Sequence, residues 1–503
     1  MKIVFIDPTE STINYGLRVM ASYLNKNGHN ASIVFLPPPK INYYYNYPES
    51  VYNDLYEIIK DADIVGLSFV TYFVSQAKFI TKFIHEKSGI PVIWGGIHAT
   101  SQPEESLEYA DFVCLGEGEE AMLTLLNKMN EGEDYTTTRN FFLKNNENII
   151  KNDVLPLSRN LDKYPFPMYD TNREYIRVDD RIINKNPDIT RDLFKVSGNF
   201  FGFPDREFHT YITLGSRGCR HHCTYCGNNT LNKLYHNETG IVRHRSCEHL
   251  ISELEFMLNK FPYVDLIQFF DDDFFCSSIE YVREFAKQYK ARIHLPFRCN
   301  FTPSFVNEKK IALLADAGLI TIEMGLQTAS ERTNKEIFKR SFEKKEFLNA
   351  VYTINKHKEI YSNYDIILDN PFENYKDNKE TLRFLAKLPA PFKLNIFSMT
   401  FFPGSELYDY AKKEEMIKDE IEEIYNKANC KYYEDRDSYI KFLIFLIRVS
   451  KRINFMPYTL FKILSSENTM KVLNSIYCQW FFRFLLKIKA RIRYKMARVE
   501  IKN

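Results

Sequence analysis

The N-terminal stretch of the chain alternates short, continuously apolar runs with amphipathic ones. KIVFID is followed by LRVMASYLNKNGH, where Gly28 closes a helical pattern as a C-cap. ASIVFLPPP, YNDLYEIIKDA, DIVGLSFV, VSQAKFITKFIHEKSG, PVIWGG, ADFVCLGEG and EEAMLTLLNKM continue the series. Strands that are apolar at successive positions are buried on both faces. The pattern over residues 1–138 therefore predicts a doubly wound, Rossmann-like parallel sheet. Ligands in such sheets bind beyond the carboxyl ends of the strands.

Residues 139–210 are less regular: NFFLKNNENIIKND reads as a hairpin, YPFPMYD as a proline-fixed connector, and the remainder as a polar linker or lid. From Tyr211 to about residue 410 the β/α alternation resumes, with YITLGSRG, VDLIQFFDDDFF, ITIEMGLQT, NYDIILDNPFE and FKLNIFSMTFFPG as strands and helical stretches between them. About six such units predict a partial (β/α)6 barrel, with its chemistry at the C-terminal ends of the strands. Residues 411–503 read as mainly helical. No repeat at a fixed period is present.

Length and composition narrow this picture. A chain of 503 residues exceeds one ordinary domain, and 45% hydrophobic with 26% charged residues describes a globular protein with ample core. MKIVFIDPTE lacks a secretory h-region, and the longest apolar run, FLIFLI at 442–447, is too short to span a bilayer, so a cytoplasmic location is expected. The net charge of +2 is unevenly spread. From Lys441 onward there are 14 Lys and Arg against two Glu, giving +12, which leaves −10 on residues 1–440.

Six of the nine cysteines are scattered and read as small buried hydrophobes. The other three stand together in GCRHHCTYC, at a C-x3-C-x2-C spacing over Cys219, Cys223 and Cys226. Three thiolates leave a structural zinc site one ligand short, although His221 or His222 could supply the fourth. They suit a four-iron, four-sulfur cluster with one open iron, which can coordinate a further ligand.

This loop, with Tyr225 before its last cysteine and SRGC leading in, resembles the signature of the radical S-adenosylmethionine (SAM) enzymes. The resemblance covers residues 210–410. It implies a cluster on Cys219, Cys223 and Cys226 whose open iron binds SAM, and reductive cleavage of SAM to a 5′-deoxyadenosyl radical. The protein's part is to exclude water and aim that radical. QFFDDDFF resembles the family's F-x-DD-x-F strand end, which implies Asp271 and Asp272 near the cluster, with a cap or a barrel ion pair as the plainer role. EMGLQTASE resembles the strand-four segment that touches SAM, implying Glu323 and Gln327. FFPGSELYDYA matches the family's closing turn, implying Pro403 and Gly404 near SAM. DNPFEN stands where a Gly-Pro-Glu turn is usual, with Asn370 in place of the glycine.

GLSFVT and IWGG resemble cobalamin-binding domains, which carry S-x-L after strand three and GG after strand four. Ser68 with Val70 matches the first motif, and Gly95 with Gly96 the second. GGIHATSQPEESLEYADFVCLGEGEEA, containing Gly116, is similar to the form of this domain fused to radical SAM barrels. Small residues there would let the nucleotide tail of cobalamin thread between strands and helices. The D-x-H-x-x-G motif is missing: Thr9 stands where other cobalamin enzymes place a ligating histidine, so no cobalt ligand is expected there. His98 reads as a loop histidine.

The resemblance implies a cobalamin-dependent radical SAM enzyme, a methyltransferase of the class B type, that C-methylates an unactivated carbon through a deoxyadenosyl radical and methylcobalamin. The alternatives are radical rearrangement, cyclisation or other C–H functionalisation without methyl transfer, and a non-catalytic iron–sulfur or cobalamin sensor. Its cofactors would be a 4Fe-4S cluster, SAM and cobalamin. Its partners would be a small-molecule, lipid or peptide substrate and an external electron donor such as flavodoxin or ferredoxin, with no nucleic acid. The segment 480–499, WFFRFLLKIKARIRYKMARV, reads as a basic amphipathic helix: a solvated face on the barrel, a contact with anionic lipid at the membrane periphery, or a grip on an acidic substrate or carrier.

Overall fold

The structure, a computed structural model, describes residues 1–9, 13–38, 46–145, 148–236, 242–340, 343–425, 427, 438–453, 457–474 and 481–482. The reading of 480–499 as a helix therefore lies outside the described residues, apart from Phe481 and Phe482. The chain forms two compact units. The first comprises residues 1–300, 316–318 and 400–429, and the second residues 301–315, 319–399 and 430–503.

The first unit opens with strands β1 (Lys2–Asp7), β2 (Asn30–Phe35), β3 (Ile64–Ser68), β4 (Val92–Gly95) and β5 (Phe112–Cys114), followed by β6 (Phe141–Asn145), β7 (Asn148–Lys151), β8 (Glu174–Val178) and β9 (Arg181–Asn184). They form one sheet in the order β7-β6-β5-β4-β3-β1-β2-β8-β9, parallel from β5 to β8 and closed at each edge by an antiparallel hairpin. The predicted doubly wound sheet is present. The hairpin read from NFFLKNNENIIKND extends it at one edge, and residues 174–184 extend it at the other.

The apolar runs are continuous because each strand feeds two cores. Val4 and Ile6 pack into one hydrophobic cluster with Val65, Leu67 and Trp94, while Ile3 and Phe5 pack into another with Ile33, Ile93 and Leu125. The strand order reverses beside β1, since β2 lies on one side of it and β3 on the other. That switch point opens a crevice beyond the carboxyl ends of β1 and β3.

The first unit continues with β10 (Lys195–Ser197), β11 (Glu207–Thr213), β12 (Ser216–Arg217), β13 (Arg243–His244), β14 (Leu266–Phe269) and β15 (Phe297–Phe301). β11, β14 and β15 are parallel neighbours, with helices Cys247–Lys260 and Ile279–Arg292 between them in sequence. The second unit holds β16 (Leu319–Gln327), β17 (Tyr361–Leu368) and β18 (Phe392–Ser398), again parallel. These six parallel strands, each in a β/α repeat, make the fold a partial (β/α)6 barrel. Helices Ser438–Ile453, Tyr458–Leu464 and Glu467–Leu473 follow in the second unit, which is the expected helical C-terminal region.

Candidate cofactor sites

The crevice of the first unit is a cavity of about 440 Å³, within the usual range for ligand pockets. Its walls come from both halves of that unit. Gly66, Ser68, Gly95, Gly96 and Gly116 line it from the strand ends of the first sheet, and Arg217, Gly218, Cys219, Asn228, Phe270 and Asp272 from the cysteine loop and the strand end beside it. The sequence motifs for two cofactors thus converge on one space.

The glycines are required by contact. Gly96 has φ +89°, and a Cβ there would lie 2.6 Å from the Phe69 carbonyl and 3.3 Å from Ser68 Oγ. At Gly116, φ is +66° and a Cβ would collide with the Tyr235 hydroxyl. Both are left-handed positions that strain any other residue. Side chains here would fill the cradle, which suits a bulky ligand passing close to the backbone. Val70 is exposed and does not line the cavity, whereas Ser68 does. Thr9 donates its backbone N–H to Asp7, 2.9 Å away, and supplies no imidazole. Asn14 caps helix Tyr15–Lys26 through a 3.1 Å bond from Leu17 N–H, and both Asn14 and Tyr15 face the cavity.

His98 is helical, within Ile97–Ser101, where a loop residue was expected. It is fully buried, stacks on Phe69 at 5.7 Å, and neither ring nitrogen has a hydrogen-bond partner. Burial lowers its pKa to about 4, so the ring is neutral at physiological pH.

The three cysteines of the loop are free, half-buried thiols between β12 and helix Asn228–Leu234. Cys226 N–H donates to the Cys223 carbonyl at 3.1 Å, which turns the loop back on itself. Burial pushes the Cys226 thiol up to about 12 and Cys219 higher still, with Asp272 nearby adding to both. A metal centre there must displace the thiol protons. Among the described residues no three His, Cys, Asp or Glu side chains converge on a point for a single ion.

Asp271 and Asp272 part company. Asp271 is fully buried and accepts from Gly215 N–H at 3.1 Å and from the Ser216 hydroxyl. It holds the backbone leading into the cysteine loop and does not line the cavity. Asp272 lines the cavity, and desolvation raises its carboxyl.

Charged residues that the motifs did not single out complete the wall. Glu117 pairs with Arg217 at 3.1 Å and with Arg243 at 2.5 Å, and Arg217 also reaches Glu119 at 2.6 Å. The two cations hold the Glu117 carboxyl below its usual range despite burial. Both stretches, GEGEEA and SRGC, were visible in sequence. The pairing between them was not.

Pro403 and Gly404 also lie in the first unit. Gly404 has φ +83° and packs against Thr230 and Ser101, its carbonyl accepts from Lys233 at 3.1 Å, and Leu407 N–H donates to the Thr224 carbonyl at 3.0 Å. This turn braces the cysteine loop.

In the second unit, Glu323 and Gln327 lie on β16. Gln327 follows a register shift, has φ +61°, and carries a buried Oε1 with no hydrogen-bond partner. Arg340 fixes the bulge by donating to the Gly325 carbonyl at 2.8 Å and to that of Leu326. In DNPFEN the left-handed residue is Asp369, with φ +56°, and not Asn370.

Comparisons with known proteins agree with this organisation. Residues 1–126 match the B12 binding domain family, and residues 213–385 match the radical SAM superfamily. An uncharacterised methyltransferase of Pyrococcus horikoshii is 24% identical over 428 residues, covering 82% of this chain and 83% of that protein. Among solved structures, the radical SAM methyltransferase TsrM of Kitasatospora setae with tryptophan and a SAM analogue superimposes with a TM-score of 0.63 at 16% identity, over 82% of this chain and 76% of that one. The cobalamin-dependent SAM radical enzyme OxsB gives 0.59 at 16% identity, over 82% and 55%. The chain carries an N-terminal B12-binding domain followed by a radical SAM domain, the domains of an enzyme whose cofactors are cobalamin, a 4Fe-4S cluster and SAM.

Proposed function

We propose that this enzyme methylates an unactivated carbon of a small-molecule substrate, in the manner of a cobalamin-dependent radical SAM methyltransferase. The observation that carries the reading is the single cavity lined both by the glycine strand ends of the B12-binding domain and by Cys219 with its flanking residues. The methyltransferase names of the Pyrococcus horikoshii relative and of TsrM support it.

When bound, the cluster with SAM supplies a carbon-centred radical by reductive cleavage, and cobalamin supplies a transferable methyl group. In this reading Cys219, Cys223 and Cys226 hold the cluster, and Ser68, Gly95, Gly96 and Gly116 cradle cobalamin. Within the first unit, Asp272 on the cavity wall meets a polar group of SAM; Glu323 and Gln327, on β16 of the second unit, are assigned to SAM from the sequence resemblance alone. Pro403 and Gly404 act by bracing the loop. Asp271 positions the loop backbone through Gly215 and Ser216. Glu117 and Glu119 together balance Arg217 and Arg243, so this network presents no net cation to the cavity. The apolar remainder, including Phe5, Leu67, Met20 and Met122, excludes water from a reactive radical. A reductant is required, and a flavodoxin or ferredoxin is the donor class we assign.

The test is incubation of the reconstituted holoenzyme with reductant, SAM bearing a trideuterated methyl group, and a small-molecule extract. The reading predicts 5′-deoxyadenosine together with a product that keeps all three deuterium atoms. Deoxyadenosine without any labelled product would sink the methylation and leave other C–H chemistry.

A further inference from the structure

The C-terminal helices carry a surface that the chemistry above does not use. Leu460, Ile463, Val472 and Phe481 are 47%, 64%, 64% and 51% exposed. Leu460 and Ile463 are three apart on helix Tyr458–Leu464 and share a face, while Phe461 between them is buried and fixes the opposite face inward. Helix Glu467–Leu473 follows a two-residue turn. Its Thr469 hydroxyl donates to the Ile463 carbonyl at 3.0 Å, and Val472 lies one turn on from Thr469, with Met470 buried. Ile463 and Val472 are therefore presented on adjoining turns.

Along residues 441–482 the charge is predominantly basic. Lys462 and Lys471 are exposed between the apolar residues. Between Lys441 and Phe482 the one acidic residue is Glu467, and Lys379 pairs with it. Residues 441–503 as a whole carry +12, against −10 on the rest of the chain. No helix among the described residues is long and apolar enough to cross a membrane. Exposed aliphatic and aromatic side chains interleaved with lysines, and no free carboxylate among them, suit the boundary between lipid headgroups and acyl chains. An acidic soluble protein would account for the lysines but not for isoleucine and valine left 64% exposed.

We propose that helices Tyr458–Leu464 and Glu467–Leu473 dock on an anionic lipid bilayer. Leu460, Ile463, Val472 and Phe481 enter the headgroup boundary, and Lys462 and Lys471 meet lipid phosphates. This stands apart from the methylation reading, since binding needs neither cofactor nor substrate.

The experiment is vesicle flotation of the full-length holoenzyme at near-physiological salt, with phosphatidylcholine vesicles and with equal phosphatidylcholine and phosphatidylglycerol. The protein is expected to float with the mixed vesicles and not with the neutral ones. L460S/I463S/V472S and, separately, K462E/K471E should each lower partitioning by about tenfold or more, with thermal unfolding unchanged. Failure to bind anionic vesicles overturns the proposal, as does wild-type binding by both folded variants. A folded protein that ignores vesicles but binds flavodoxin through the same lysines would also overturn it, in favour of a protein partner.

Discussion

Arg217 Nη2 lies 2.6 Å from Glu119 Oε1, tying the residue two positions before Cys219 to the first turn of helix Glu119–Glu131 in the B12-binding domain. The same guanidinium reaches Glu117, which Arg243 also holds. These largely shielded charge pairs tie the cysteine loop to the glycine-rich strand ends of the first sheet. Glu117→Gln removes the carboxylate that Arg217 and Arg243 share, while Arg217 keeps Glu119, at a cost of about 1–3 kcal/mol. We expect a lower unfolding temperature and faster loss of cobalamin on gel filtration. Unchanged cobalamin retention would show that this network does not position the cradle.

The cradle itself can be tested by adding one methyl group. Gly96→Ala places a Cβ against the Phe69 carbonyl in a left-handed backbone, so cobalamin affinity should fall by at least about tenfold, with a stability loss of roughly 2–4 kcal/mol. Gly28→Ala is the control. It has φ +88° with nothing within 4 Å, so it should cost about 1 kcal/mol and leave cobalamin binding intact.

His98 makes stability sensitive to acid. Its pKa is lowered from 6.5 to about 4, chiefly by burial. The unfolded chain therefore takes up a proton before the folded one does, so the contribution is fully present above pH 6.5 and is lost as pH falls toward 4. Wild type should lose roughly 3 kcal/mol over that window relative to His98→Leu. Denaturant melts of both proteins at pH 7 and pH 4.5 measure the difference. Parallel curves would mean that His98 is not held neutral by the fold.

Asp369 joins three elements of the second unit. Its carboxylate lies 2.6 Å from Lys441 Nζ and accepts from Ser398 Oγ at 2.8 Å, with both members of the ion pair buried. Asp369→Asn strands a buried ammonium and should cost about 3–5 kcal/mol, whereas Asp369→Asn with Lys441→Met should recover most of it. Additive losses in that cycle would refute the pairing.

The fold was legible where period and length were unambiguous. The apolar runs of β1, β3 and β4 needed burial on both faces, and that alone implied a doubly wound sheet. The edges were harder to read, because Glu174–Val178 and Arg181–Asn184 are half-polar and take their sheet positions by pairing, the first with β2 and the second with the first. The grouping of Cys219, Cys223 and Cys226 on one loop was plain from their spacing. Asp271 and Asp272 could not be told apart, because adjacent residues at a strand end point in opposite directions, one into the loop backbone and one into the cavity. Glu117 with Arg217 is a contact between residues 100 apart, which no local pattern encodes.

The central claim is that one cavity serves two cofactors, and metal content tests it most directly. Protein purified without oxygen and reconstituted with iron, sulfide and hydroxocobalamin should contain about four irons and one cobalt per chain. The triple variant Cys219→Ala, Cys223→Ala, Cys226→Ala should lose the iron and keep the cobalt. Four irons with no cobalt in the wild-type protein would contradict the account, leaving a radical SAM enzyme whose glycine-lined crevice serves some other ligand.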